Sequence, residues 1–444
     1  MEFSNLFFLY LFLPFAVGVY FIAPGMKLKN GILILFSLLF YCFGRPIYVP
    51  LMVALTALNY YIPKLRLADK ATYSIVLILD VGSLLVFKVF TDLPYPMGLS
   101  FYLFSLIAYQ VDRHRDPEGE ADSFWQFLLF VSFFPKVVMG PIVRFKQLAP
   151  QLRQRMAEPE KIFRGAFRFA VGLGKKILIA DPLFRLYEQL GSHASWVAPW
   201  VGGLAFMLYI FFEFSGYGDM AIGMGGIFGF SLPENFRRPY TAVSVGEFWR
   251  RWHMTLGMFF RDYVYIPLGG NRKGILRQVW NLLVVWVLTG LWHGISVTYV
   301  LWGLYFFLLL LGEKAFPVKG KRGILPLRRL VTFFLVYFGW IIFAAKDAVA
   351  LYQTVIRMLS FDLGGLGPTL LVIRNNLPLL LVGILLAVPG PIWAERFRNW
   401  NRTLSLPGRK TVTVAQTFFL ILIFALCTVV LLGTAAKPSM YAGF

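Results

Sequence analysis

At 444 residues, 58% hydrophobic and only 15% charged, with a formal net charge of +21, the chain carries far fewer charges than an ordinary soluble domain, where about a quarter of residues are charged. A soluble core cannot hide that much apolar surface, whereas a bilayer accepts it, one helix of about 20 mostly apolar residues per crossing. The positive charge does not point to nucleic acid. It is gathered between apolar runs, at Lys64, Arg66 and Lys70, at Arg113 and Arg115, and over 144–176, 314–329 and 396–410, the pattern of loops retained in the cytoplasm against anionic lipid headgroups. The two cysteines, Cys42 and Cys427, lie in apolar stretches and read as packing residues. With four histidines and no Cys/His cluster, no structural metal is expected.

In chain order, residues 5–23, 73–90, 200–214, 279–290, 331–345 and 412–433 are apolar runs suited to crossing, and 32–43 and 47–62 would span in part or with tilt. The reading is an all-α polytopic protein of about 11–13 membrane-embedded helices, many of them interrupted by Gly or Pro. Met1-Glu2 offers no basic leader and Pro24-Gly25 no cleavage site, so the first run is expected to be a retained helix. No repeat, low-complexity tract or long linker breaks the chain, which predicts a single domain over 1–444. Up to about residue 112 the helices read as a hairpin series: with Lys27 and Lys29 inside, Arg45 and the turn from Asp92 fall outside and Arg113 inside. A full crossing by 124–139 would then put the basic stretch 144–176 outside. Phe134-Pro135-Lys136 and Gly140-Pro141 instead predict a broken or re-entrant segment, tolerated only where protein or a water-filled cavity surrounds it. The last run leads outward and leaves a tail, 434–444, on the outer side.

The stretch 213–303 is the least lipid-like. It holds Glu213, Asp219, Glu234, Asn235, Glu247, Arg250, Arg251, His253, Asp262 and His293, mixed with tryptophans and tyrosines. Ionisable groups at membrane depth are costly and face the interior or a wet cavity, so function is sought here. His293 closes an apolar run in Leu288-Thr-Gly-Leu-Trp-His-Gly294. A neutral imidazole there suits removal of a hydroxyl proton, although a buried histidine bonded to a carbonyl would look the same. His253, in Phe248-Trp-Arg-Arg-Trp-His-Met-Thr-Leu256, belongs either to catalysis or to an aromatic–cationic belt. Arg250, Arg251, Arg261, Arg272, Lys273 and Arg277 either hold a phosphorylated ligand such as coenzyme A or anchor a loop to lipid. No Walker loop, dinucleotide fingerprint, zincin helix or nucleophile elbow occurs. Intramembrane charges and broken helices keep a transporter open as an alternative.

The block Phe248 to Leu256, the segment Phe260-Arg-Asp-Tyr-Val-Tyr-Ile-Pro-Leu-Gly-Gly-Asn-Arg272 and Gly290-Leu-Trp-His-Gly294 resemble the signature blocks of the membrane-bound O-acyltransferase family. Within it, they are most similar to bacterial alginate and peptidoglycan O-acetyltransferases. Phe214-Ser-Gly-Tyr-Gly-Asp-Met-Ala-Ile-Gly223, Phe230-Ser-Leu-Pro-Glu-Asn-Phe236, the opening Phe3-Ser-Asn-Leu-Phe-Phe-Leu9 and Gly98-Leu-Ser-Phe-Tyr102 fit the same group. The resemblance implies a ring of helices around a central tunnel, with a catalytic core at about 98–303. It makes His293 the central catalytic histidine and His253 the second. Asn235 and Trp292, which lie in the matching blocks, are substrate-binding candidates with Arg250 and Arg251.

The resemblance further implies acetyl-CoA as cytoplasmic donor, no permanently bound cofactor, and a bacterial cytoplasmic membrane. The acetyl group would reach an extracytoplasmic polysaccharide through a secreted or membrane-anchored partner acetyltransferase. The related alternative is a D-alanyl transferase of teichoic acid synthesis, fed by a carrier-protein thioester. The ending Ser439-Met-Tyr-Ala-Gly-Phe444 resembles the aromatic-x-Tyr-x-x-Phe tail of acetylating members, with Ser439 in place of the usual Phe. It makes Tyr441 a candidate covalent acyl relay, or else an interfacial anchor.

Overall fold

The computed structural model describes residues 2–65, 68–90, 93–116, 121–316 and 325–433. Among them there is no β-strand. A bilayer favours this, because a helix satisfies its own backbone donors and acceptors where water is absent. Eight of the described helices are long and apolar enough to cross a membrane, and the shorter apolar stretches Phe8–Ile22 and Ala348–Leu359 accompany them. The chain forms two compact units. One comprises Met1–Leu173, Tyr217–Glu234 and Thr428–Phe444, the other Gly174–Gly216 and Asn235–Cys427.

The first unit starts with a π-helical turn, Phe8–Phe12, that runs into α1 (Leu13–Ile22). There follow α2 (Gly25–Cys42), α3 (Val49–Tyr61), α4 (Asp69–Val89), α5 (Leu99–Arg115), α6 (Phe124–Ser132), α7 (Phe134–Val137), α8 (Phe145–Arg153) and α9 (Pro159–Gly174), the last as far as Leu173. Its core is phenylalanine-rich: Phe12 and Phe40 each meet the ring of Phe134 at 5.7 Å. Some polar groups of its helices are turned inward and bonded to one another. Asn59 Nδ2 donates to the fully buried Asp80 Oδ1 at 2.8 Å, and Gln110 Nε2 donates to Asn59 Oδ1 at 3.0 Å, so one polar chain links α3, α4 and α5. The expected break is present. Pro135 has no N–H to offer the Val131 carbonyl and its ring would collide there. The helix accordingly leaves helical geometry at Phe133 (φ −45°, ψ 106°) before the single turn of α7. The irregular backbone that follows is buried through Val143, the setting such backbone requires.

The second unit contains α10 (Asp181–Gly191), α11 (Val197–Ile227) as far as Gly216, α12 (Val245–Arg251), α13 (Met254–Phe260), α14 (Ile275–His293) and α15 (Val297–Ala315). After these come α16 (Leu325–Ala344), α17 (Ala348–Leu359), α18 (Leu366–Ala387), α19 (Gly390–Thr403) and α20 (Leu406–Gly433), the last as far as Cys427. Burial sorts the long helices. Of the most apolar window of α11, 72% is buried, whereas for α20 the share is 11%. A helix apolar on every side is a core helix if covered and a lipid-facing one if not. Ahead of α10, a π-helical turn (Lys175–Ala180) directs the buried Lys176 ammonium to Asp181 (2.7 Å) and Glu213 (2.8 Å).

Helices α14 and α15 cross backbone against backbone. A Cβ at Gly290 would stand 2.3 Å from the Tyr299 carbonyl oxygen, and one at Gly303 would stand 2.4 Å from that of Trp286. Only glycine permits this approach, the usual device for close helix crossings in membranes. It fixes the depth of the last turn of α14, where His293 sits.

Candidate functional site

The site is built outward from α12. Ser244 caps that helix, its hydroxyl accepting from Glu247 N at 3.1 Å, while Glu247 Oε2 reaches back to Val243 N at 2.8 Å. This is close to a capping box, shifted by one residue. The carboxylate of Glu313, on α15, accepts from the amides of Val245 and Gly246 at the same end, where the helix dipole favours negative charge. At the other end Arg251 pairs with Glu247 and donates to Thr241 Oγ1 (2.7 Å) and to the Arg238 carbonyl (3.3 Å). Backbone bonds Arg237 N to Arg251 O and Met254 N to Asn235 O, both 2.9 Å, complete the seam between the loop 235–241 and α12–α13.

That seam sets Asn235 against His253. Asn235 is buried, and its Oδ1 accepts from Thr255 N (3.1 Å) and Thr255 Oγ1 (2.9 Å) and lies 3.2 Å from His253 Nδ1. A backbone amide can only donate, so the atom facing Thr255 N is the carbonyl oxygen and the amide orientation is settled without seeing hydrogens. Nδ1 of His253 therefore carries the proton, and Nε2 holds the lone pair. Nε2 of His253 and Nδ2 of Asn235 are buried without a hydrogen-bond partner among the described residues. Burial pushes the His253 imidazole, which lies outside the eight candidate spans, down to about 3, so it is neutral at physiological pH. Its backbone is strained. His253 has a φ of 42°, and the only other described non-glycine residues with positive φ are Arg238, in the same seam, and Phe361. Such conformations persist where the surroundings over-determine them, commonly at functional sites.

The Trp292 ring lies against both imidazoles, 6.1 Å from His253 and 4.5 Å from His293 between ring centroids. Phe214, on α11, meets His253 edge-on at 4.6 Å. Around His293 stand Phe343 (4.9 Å), Trp302 (5.3 Å) and Tyr299 (5.9 Å). His293 is half-buried, whereas His253 is buried. The arrangement is an aromatic chamber with two imidazoles, one of which has a tautomer imposed by a neighbouring amide. Such a pair can take a proton from a hydroxyl and return it to a leaving group.

Of the residues singled out from sequence, the structure brings together His253, His293, Trp292 and Asn235. Arg251 is committed to the seam, and Arg250 is exposed on the same helix, beside Gly246 and near Glu313. Arg261 pairs with Asp262, and Arg277 donates to the Leu268 carbonyl at 2.8 Å. Tyr441 and the tail lie outside the described residues. Sequence reasoning passed over Thr255, Glu313, Tyr299, Trp302 and Phe343. Thr255 lies two places after His253 in the same block, and Tyr299 and Trp302 follow His293 closely in the chain; Phe343 and Glu313 are brought in by α16 and α15 from distant positions.

Buried polar residues, inward-facing imidazoles and eight apolar spans define a multi-pass membrane protein with a histidine site in its helical interior. The model of the membrane-bound O-acyltransferase family matches residues 47–352. The chain is 38% identical over 383 residues to a probable alginate O-acetylase of Pseudomonas fluorescens, covering 81% of this chain and 76% of the relative. It is 32% identical over 423 residues to a peptidoglycan O-acetyltransferase of Helicobacter pylori (81% and 80%), and 28% identical over 274 residues to a teichoic acid D-alanyltransferase of Bacillus subtilis (56% and 69%). The chain belongs to the membrane-bound O-acyltransferase family. It thus falls among proteins that use an acyl donor, and the motif blocks read from the sequence identified it correctly.

Proposed function

We propose that the protein moves an acetyl group from cytoplasmic acetyl-CoA across the bacterial cytoplasmic membrane toward hydroxyls of an extracytoplasmic polysaccharide, through a partner acetyltransferase outside. The observation that carries this reading is the pair of imidazoles against one indole, with the Nε2 lone pair of His253 and the amide N–H of Asn235 both buried and without a hydrogen-bond partner among the described residues. A hydroxyl attacking a thioester must lose a proton, and the departing thiolate must gain one. In this reading His293 takes the hydroxyl proton as general base and hands it to the thiolate, a new C–O bond replacing the C–S bond. His253 lies close to the thioester, held neutral with Nε2 facing the reaction, and Asn235 Nδ2 and Trp292 border the acyl group. Arg250 contributes to donor binding, and Arg251 supports it from within the seam. The names of the two O-acetylating relatives favour the acetyl group and a polysaccharide acceptor.

Labelled acetyl-CoA supplied to the purified protein tests this. His293→Gln should slow donor turnover by about 10²- to 10⁴-fold, the typical contribution of a positioned base. A folded His293→Gln chain at wild-type turnover would remove the proposal, and turnover restricted to a D-alanyl carrier protein would move the chain to the teichoic acid branch. Tyr441 is proposed as the acceptor of the first step, its phenol forming an aryl acetate while the thiol of coenzyme A leaves. Mapping of the label onto the tail by mass spectrometry, with Tyr441→Phe as control, decides that step.

A further inference from the structure

We infer that α19 is a surface-lying helix that docks on the anionic headgroups of the bilayer, held at a fixed roll by an ion pair to the site's own loop. Its position follows from the chain. Gly390–Thr403 joins two membrane-crossing helices, α18 and α20, and is not itself among the candidate spans. At 14 residues it is about 21 Å long, enough to lie along a membrane surface.

Its sequence is amphipathic and the structure shows the orientation. Trp393, Phe397 and Trp400 recur at spacings of four and three and so share one face, while Glu395, Arg398 and Arg402 fall on the opposite one. In a water-soluble protein the aromatic face would turn inward. Here it is uncovered: Trp393 is 51% exposed, Phe397 43% and Trp400 51%, while on the other face Glu395 is tied to the Arg238 guanidinium at 3.0 Å and Arg398 and Arg402 are exposed as well.

Charge identifies the occupant. Between 390 and 410 the chain carries Arg396, Arg398, Arg402, Arg409 and Lys410 against a single acid, Glu395, which already has its partner. Among the described residues, no ion pair engages Arg396, Arg398 or Arg402, while Arg409 is spent on the Arg402 and Leu404 carbonyls at the end of the helix. An outward aromatic stripe with Arg396 at its edge, and with the long side chains of Arg398 and Arg402 unneutralised on the other face, matches the boundary where indole rings settle and anionic phosphates attract arginine. A water-exposed protein partner would have to cover both. The pin has a position of its own: Arg238 belongs to the loop 235–241 and its carbonyl accepts from Arg251. The roll of a lipid-facing helix is thereby tied to the segment that carries Asn235.

The test uses the full chain, with Cys42→Ser and Cys427→Ser, reconstituted in phosphatidylcholine bilayers with or without phosphatidylglycerol. A nitroxide is placed at Phe397→Cys or at Asn399→Cys. The label at 397 should meet oxygen more often than a water-soluble nickel chelate, the label at 399 the reverse, and phosphatidylglycerol should draw 397 deeper. Changing Arg396, Arg398 and Arg402 together to Gln should abolish that lipid-dependent shift, and Glu395→Gln should narrow the contrast between 397 and 399 while immersion persists. Shielding of 397 from both reagents would mean that a second copy or another protein covers the face, and equal access of the chelate to both positions would mean open water. Either overturns the proposal, as does a depth that is the same in the two lipids. None of these readouts depends on acyl transfer.

Discussion

The oxygen of Asn235 serves three donors at once, which makes one neutral amide responsible for the order of the whole seam. Asn235→Ala removes an acceptor from Thr255 and leaves His253 Nδ1 unsatisfied in a buried setting, at about 1–3 kcal/mol for an unsatisfied group. We expect a clearly lowered melting temperature in detergent, and a loss of turnover persisting below that temperature because the imidazole no longer has an imposed tautomer. A variant with wild-type rate would mean that His253 is oriented by something else. The depressed imidazole also gives a pH dependence. Its folded value of about 3 lies below the ordinary 6.5 of an unfolded histidine. Between those values the unfolded chain binds the extra proton, so this contribution is intact above pH 6.5 and is lost as pH falls, with a slope of up to about 1.4 kcal/mol per pH unit. Melting curves from pH 7 downward should therefore be flatter for His253→Asn than for the wild type. Both histidines were legible in the sequence because their motif blocks are specific. The strained backbone of His253 was not, since no local residue preference demands a positive φ there; it follows from the bonds that the loop 235–241 makes to α12 and α13.

At the scale of elements, the α14–α15 crossing leaves no room at Gly290. Gly290→Ala would drive a methyl into the Tyr299 carbonyl and push the helices apart, an overpacking cost of about 1–3 kcal/mol. Because His293 is only three residues further along α14, turnover should fall more than the melting temperature suggests; an active enzyme with normal stability would show that the crossing is slack. The single turn of α7 allows the opposite kind of change. The Lys136 ammonium is buried, with Ser105 Oγ at 3.3 Å and the Phe130 ring at 4.6 Å, and no carboxylate pairs with it among the described residues. A charge so placed costs stability that an apolar side chain of similar length does not. Lys136→Met should raise the melting temperature, and a fall would assign Lys136 a partner. Long apolar runs and the proline break could be read directly from the chain, because period and proline chemistry act locally. The cap that Glu313 places on α12 could not, since it joins residues more than sixty positions apart. The π-helical turns at 8–12 and 175–180 likewise left no mark in the sequence.

For the whole molecule, composition alone was enough to assign the membrane class, because a chain that is 58% hydrophobic and 15% charged has no other solvent that suits it. Its division into two units was not readable. The first unit takes Tyr217–Glu234 from the middle of the chain and the end of α20, a choice made by contacts distant in sequence. Within the second unit the aromatic packing has an optical consequence. Trp249 stands 4.9 Å from Trp286 and 5.5 Å from Trp302, Trp252 stands 4.8 Å from Trp340, and Trp292 borders both histidines. Six of the twelve indoles of the chain are thus gathered around the site. Chromophores this close and this fixed share their excitation, so the near-ultraviolet circular dichroism of the protein should carry a strong signal originating there. Addition of acetyl-CoA should alter that spectrum and quench the emission, and Trp292→Phe should weaken both responses while leaving the far-ultraviolet spectrum alone. The chamber would then report its own occupancy without a label, through indole bands that lie to the red of the adenine absorption of coenzyme A.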